Sequence, residues 1–181
     1  MKILTGKEVA ESLQEELKNK IAENNIHPTL CVLKFGNNKS DESYLKGIMN
    51  TFNKIGINVS LIEIENNNLS NYELWSLIED KVNNNKDVDG CIILNSDNLY
   101  LQEKVNMYIS NLKDVDLSSN INYLKKLINK NYKDEALPCT AEAVIKLLDY
   151  YNINVDGANV TIIGRSQRVG APLFIELTSR N

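Results

Sequence analysis

The chain has little of what metal and thiol chemistry require. Its 181 residues include one histidine and three cysteines. Cys31, Cys91 and Cys139 are far apart, form no C-x-x-C pair, and have only His27 as a potential co-ligand. A tetrahedral zinc site takes four such ligands at close spacing, so no metal site is expected. Cys31 in TLCVLKF and Cys91 in VDGCIIL read as small buried hydrophobes of a reducing compartment. Cys139 has no accompanying base and is not expected to be a nucleophile. An excess of positive charge is also missing. Lys and Arg number 20 against 24 Asp and Glu, a net charge of -4. That balance argues against nucleic acid or an anionic membrane as partner. No apolar run approaches the ~18 residues of a membrane span. The opening MKILTGKEVAE turns polar too early for a signal peptide. The expected location is cytoplasmic.

What is present is the composition of an ordinary globule, 43% hydrophobic and 24% charged. The length suits one domain or one and a half, enough to bury about 70% of the unfolded surface. Thr5 and Glu8 form a T-x-x-E capping pattern, followed by Val9, Leu13, Leu17 and Ile21 at every fourth residue. A helix is expected there. Leu30–Phe35, bounded by Gly36, reads as a buried strand. A helix from about Ser40 to Ile55 carries Tyr44, Ile48, Met49, Phe52 and Ile55 on one face and stops at Gly56.

Ile57–Ile64 and Val88–Leu94 are further strands. Between them Ser70 and Glu73 repeat the capping box and open a helix with Leu74, Leu77, Ile78 and Val82 on one side. A helix is expected over Leu101–Ile109, one after LPCTAEA with Thr140 as N-cap, a strand over Val160–Ile163, and a last helix after Arg168. Three strands alternating with helices before Asn111 predict a mainly parallel sheet covered on both faces, a three-layer α/β arrangement. Ligands of such sheets bind beyond the carboxyl ends of the strands. That directs attention to Gly36–Tyr44, Leu94–Asn98, Gly164–Gly170 and the Asp114/Asp116 loop. The domain boundary is expected near Pro138. This gives a domain over 1–137 and a second over 138–181, whose VTIIGRSQRVGAP reads as the strand, glycine turn and helix start that open a Rossmann-type nucleotide-binding unit.

The segments ILTGKEVA, FGNNKSDESYLKG, KIGI, VDG, LKDVD, PCTAEA and VTIIGRSQRVGAP together resemble one family. It is the methylenetetrahydrofolate dehydrogenase/methenyltetrahydrofolate cyclohydrolase family, the bifunctional FolD-type enzymes. The order and approximate spacing agree, and G-R-S-x-x-V-G-x-P is the most specific match. The resemblance covers the whole chain and about the first two-thirds of the family's length. It implies folate one-carbon metabolism: hydride passes from 5,10-methylenetetrahydrofolate to NADP, and water opens the methenyl product. It also implies a folate-type ligand and a homodimer. In the family a tyrosine and a lysine four residues apart face the folate, a glutamine after the third strand supports the lysine, and the second aspartate of K-D-V-D-G holds the pterin.

Carried over by position, Tyr44 matches the tyrosine and Asp116 the aspartate, while its glycine neighbour has become Leu117. The lysine position is Ile48 and the glutamine position is Leu94. Isoleucine moves no proton, and a lysine without its amide partner would leave a buried polar group unpaired, so the two apolar replacements agree with each other. No catalytic residue is therefore assigned. Bland alternatives stand beside these roles: Asp116 as the aspartate of an Asx turn, Tyr44 as part of an apolar stripe.

Gly164, Arg165, Ser166, Val169 and Gly170 match the dinucleotide turn, in which helix amides face a phosphate and Arg165 pairs with it, marking NADP. A ribose reader about 20 residues further on would lie beyond Asn181. On that ground, and on Ile48 and Leu94, a truncated, catalytically degenerate paralogue acting as a binding or assembly module is the alternative to an active enzyme. A strand-to-helix turn without ligand, and an unrelated doubly wound nucleotide binder, are the remaining readings.

Overall fold

The computed structural model describes residues 3–36, 39–64, 69–94, 99–117 and 137–179. The chain divides into two compact units, 14–115 and the combination of 1–13 with 116–181.

The first unit is built on Thr29–Phe35 (β1), Asn58–Ile64 (β2) and Gly90–Ile93 (β3). They form one parallel sheet in the order β2-β1-β3, with Leu30 opposite both Val59 and Gly90. Alternation along β1 sorts its side chains between two faces. Leu30 and Val32 join a cluster with Leu45 and Ile48 of Lys39–Lys54 (α2) and with Leu94. Cys31, Leu33 and Phe35 join the larger cluster under Asn71–Ile78 (α3) and Leu99–Tyr108 (α4). Helices thus cover both faces of a central strand, the three-layer arrangement expected from the alternating pattern.

Local chemistry explains the element ends. The Ser70 side chain accepts from the Glu73 N–H while Glu73 accepts from the Ser70 N–H, the reciprocal box read from the sequence. The helix then continues through one π-helical turn, Glu79–Asn83, which keeps Val82 fully buried. Asp89 of VDG accepts from the Thr29 N–H at 2.8 Å, and its own N–H donates to the Thr29 carbonyl at 3.0 Å, pinning the start of β1.

The LKDVD segment runs beside β3. The Cys91 N–H donates to the Lys113 carbonyl at 2.6 Å and the Val115 N–H to the Cys91 carbonyl at 3.3 Å. A Cβ on Gly90 would lie 2.4 Å from a Val115 methyl, which is why VDG needs its glycine. The Lys113 ammonium donates to the carbonyls of Val82 and Asn85, both at 2.6 Å, and so ties this segment to the π-helical turn. Cys31 and Cys91 face each other in register, both fully buried, in agreement with their reading as core residues.

The second unit contains the first turns of Gly6–Glu23 (α1), Cys139–Tyr150 (α5) and Gly170–Ser179 (α6). Leu137, Ala141, Ile145 and Leu173 form its core. Here several expectations are corrected. Residues 160–163 form no strand: Ile163 is 98% exposed, and only Ile162 packs against the core. A strand exists only where a neighbour supplies hydrogen bonds, and none of the described segments does so here. Thr140 is not the N-cap of α5; Pro138 is, with no side-chain cap bond. Proline's fixed φ starts the helix two residues earlier than a threonine cap would. Thr5 caps nothing through Glu8. The Tyr151 hydroxyl donates to its carbonyl at 3.0 Å and accepts from its N–H at 3.1 Å. Of the α1 stripe only Val9 is buried, and Leu17 is 45% exposed.

Candidate functional site

Each unit carries part of the expected site. In the first, Tyr44 lies on α2 and is 58% exposed, so it stands outside the apolar stripe of that helix and offers a ring to solvent. One turn on, Ile48 is 6% exposed and Leu94 is 1% exposed, and both belong to the cluster with Leu30, Val32 and Leu45. The positions where the resemblance implies a lysine and its amide are thus closed into hydrocarbon.

The only lysine buried in this unit's described residues sits elsewhere, at Lys34 of β1. Its ammonium donates to Glu63 at 2.8 Å. That hydrogen bond, with Glu42 and Asp41 adding attraction, holds Lys34 charged above the ordinary lysine range. A lysine fixed in its charged form is a poor base. Sequence pattern gave no signal for it, because TLCVLKF reads as an uninterrupted buried strand. Residues 95–98, expected to line the site, lie outside the described residues.

In the second unit Asp116 is the central group. Its side chain is 16% exposed, and Oδ2 accepts from the Arg168 guanidinium at 2.6 Å. The Cys139 thiol is pushed up to about 12, first by partial burial and then by the Asp116 carboxylate, to which it also hydrogen-bonds. Although Cys139 as a residue is exposed, its thiol is held protonated and inert. Arg168 is the residue that sequence reading missed. It occupies an unspecified position of G-R-S-x-x-V-G-x-P, and its partner is 52 residues away.

Leu117, in the place of the motif's glycine, has φ +48°. The left-handed region costs a Cβ-bearing residue roughly 1–2 kcal/mol. Leu117→Gly is therefore expected to stabilise the chain by about 0.5–1 kcal/mol after the entropy of the unfolded glycine is subtracted, read as a higher urea midpoint. A lower midpoint would show that the leucine side chain contributes more than its backbone costs.

The dinucleotide turn is tightly closed. Gly164 has φ +128°, and a Cβ on Gly170 would stand 2.2 Å from the Gly164 carbonyl oxygen. The Ser166 hydroxyl accepts from the Val169 N–H at 3.2 Å, and the Ser166 carbonyl accepts from the Ala171 N–H at 3.0 Å. Gly164, Arg165 and Ser166 are exposed, Val169 is half-buried and Gly170 is buried. Arg165 makes no ion pair with the described residues. An exposed arginine on a glycine turn at a helix start fits a phosphate group.

A cavity of about 290 Å³ lies between the first turns of α1 and α5, with Val9, Leu13, Ala143 and Leu147 in its wall. No helix among the described residues is long and apolar enough to cross a membrane.

Comparison with known proteins extends over the whole chain. The family described as tetrahydrofolate dehydrogenase/cyclohydrolase, catalytic domain, matches residues 4–116, and its NAD(P)-binding domain matches 138–181. The bifunctional protein FolD of Dictyoglomus thermophilum is 39% identical over 99% of this chain and 63% of its own length. That of Clostridium botulinum strain Okra is 36% identical over 99% and 64%. This chain thus spans under two-thirds of the length of these relatives.

Among solved structures, the bifunctional FolD of Campylobacter jejuni superimposes with a TM-score of 0.89 at 29% identity, covering 99% of this chain and 64% of that one. The bifunctional 5,10-methylenetetrahydrofolate dehydrogenase/cyclohydrolase of Thermoplasma acidophilum gives 0.84 at 31%, covering 99% and 63%. Fold, order of motifs and sequence identity agree: the chain belongs to the tetrahydrofolate dehydrogenase/cyclohydrolase family.

Proposed function

We propose that this chain serves folate one-carbon metabolism by binding a folate-type ligand. Asp116 accepts the N–H donors of the pterin; Tyr44, on the other unit, is a separate candidate for stacking on the substrate. The single observation that carries this reading is the pair of family matches, in order, over 4–116 and 138–181. The matching activity is that of a bifunctional 5,10-methylenetetrahydrofolate dehydrogenase and 5,10-methenyltetrahydrofolate cyclohydrolase. Residues 1–137 form the folate part and 138–181 the beginning of the NAD(P) part. NADP, when bound, would accept the hydride, and Gly164, Arg165, Ser166, Val169 and Gly170 would form the turn that holds its phosphates. A homodimer in the cytoplasm is the assembly and location that fit the family.

A second reading, a binding or assembly module without turnover, is favoured by one observation. Ile48 and Leu94 share an apolar cluster, which leaves the cyclohydrolase step without the group that moves its proton. We therefore expect this chain to bind a folate and not to open the methenyl ring. Loss of the methenyl chromophore is the measurement. Turnover comparable with that of the full-length relatives would overturn the second reading, and absence of folate binding by calorimetry would overturn the first.

A further inference from the structure

Asp116 does not wait empty for a ligand. Its carboxylate is mostly buried, and one oxygen is already taken by Arg168 at 2.6 Å. The two partners differ in a way that matters. The Asp116 side chain is 16% exposed and the Arg168 side chain 43% exposed. The carboxylate is fixed by its surroundings, whereas the guanidinium sits on a long, flexible, half-solvated stem. If the pair is to open, Arg168 is the member that leaves. A half-exposed ion pair is a modest interaction, strong enough to compete and weak enough to be displaced.

We propose that Arg168 competes with the substrate for Asp116, so that this arginine sets the affinity and selectivity of the pterin subsite. The inference rests on the reading of Asp116 as the pterin acceptor. A ring that presents two adjacent N–H donors can make two hydrogen bonds to the carboxylate, where Arg168 makes one through Nη1. A ligand with a single donor cannot repay the lost ion pair and is rejected, which is selectivity by an occupied site. The binding-competent state, with Arg168 swung out, is a minor population, and the apparent affinity is reduced by that fraction.

The test uses the full 181-residue chain and 6-hydroxymethylpterin, an uncharged fluorescent ring without the glutamate tail. Dissociation constants are measured for the native chain, Arg168→Met, Asp116→Asn and the double variant, at low and high salt. Arg168→Met is expected to bind about tenfold more tightly than the native chain, because the competing charge is gone. Native binding is expected to tighten with added salt as the ion pair is screened, and Arg168→Met binding to lose that dependence. A purely structural ion pair would show neither effect.

Asp116→Asn is expected to weaken binding in both backgrounds. If Arg168→Met binds equally or more weakly while Asp116→Asn still weakens binding, the competition is overturned and the role of Asp116 stands. If Asp116→Asn changes nothing in the Arg168→Met background, the pterin reading of Asp116 fails and the competition fails with it. Thermal unfolding checks that each variant folds. Should Arg168→Met not fold, Arg168→Gln, which removes the charge and keeps a hydrogen-bonding head, is expected to show the same tightening, and its absence would equally overturn the proposal.

Discussion

Ile48→Lys is expected to lower the stability of the fold by about 3 kcal/mol and to leave the chain without cyclohydrolase turnover. The reason is the company the residue keeps. Ile48 is 6% exposed among Leu30, Val32, Leu45 and Leu94, and none of these accepts a hydrogen bond from an ammonium. Lysine there must lose its proton, distort its stem toward solvent, or admit water. Leu94→Gln alone buries an amide without a partner, a loss of about 1–3 kcal/mol.

Together the two changes supply each other's partner. The double variant is expected to be more stable than the sum of the singles predicts, by about 1 kcal/mol. Urea denaturation of the four proteins measures this coupling. Strict additivity would mean that positions 48 and 94 do not meet, and an unchanged midpoint for Ile48→Lys would mean that the cluster is wetter than its burial shows.

Gly170→Ala is the second large effect, expected at about 3 kcal/mol with loss of the turn's phosphate-binding shape. The added Cβ would stand 2.2 Å from the Gly164 carbonyl oxygen, 2.7 Å from its carbon and 3.1 Å from the Arg165 Cα. All three are main-chain atoms, so no rotamer change relieves the clash and the turn must open. Gly47→Ala is the control. Gly47 lies within α2, where a Cβ meets nothing within 4 Å, and the same substitution is expected to stabilise by about 0.5–1 kcal/mol. Thermal unfolding compares them; equal effects at the two positions would refute the close approach of the turn to the helix start.

The legible parts of the sequence were those whose cause is local. Ser70 and Glu73 are three residues apart, and the box they form is in the structure. Leu74, Ile78 and Val82 repeat at helical spacing and are all buried. The three strands of the first unit announce themselves as apolar runs, the first bounded by Pro28 and Gly36 and the second opening after Gly56. What failed depended on distant partners. Thr5 is engaged by Tyr151, 146 residues away. Residues 160–163 have the composition of a strand and, among the described residues, no neighbour to make them one. In the site, Ile48 and Leu94 were legible as departures, because a motif fixes what should stand there. The capture of Asp116 by Arg168 was not, since an arginine in a variable position carries no mark of the carboxylate it meets.

The segment that runs beside β3 has a consequence for association. A parallel sheet with three strands has two borders, and each offers a row of unpaired amides and carbonyls to any other chain. Along β3 the backbone of Lys113 and Val115 already fills part of that row through Cys91, and the Lys113 clamp holds it in place. Among the described residues β2 is the sheet edge without a neighbouring strand, and Glu63 on it stands 48% exposed in its pair with Lys34. A chain arriving there must accommodate a carboxylate in its path, a common way of keeping a sheet from growing.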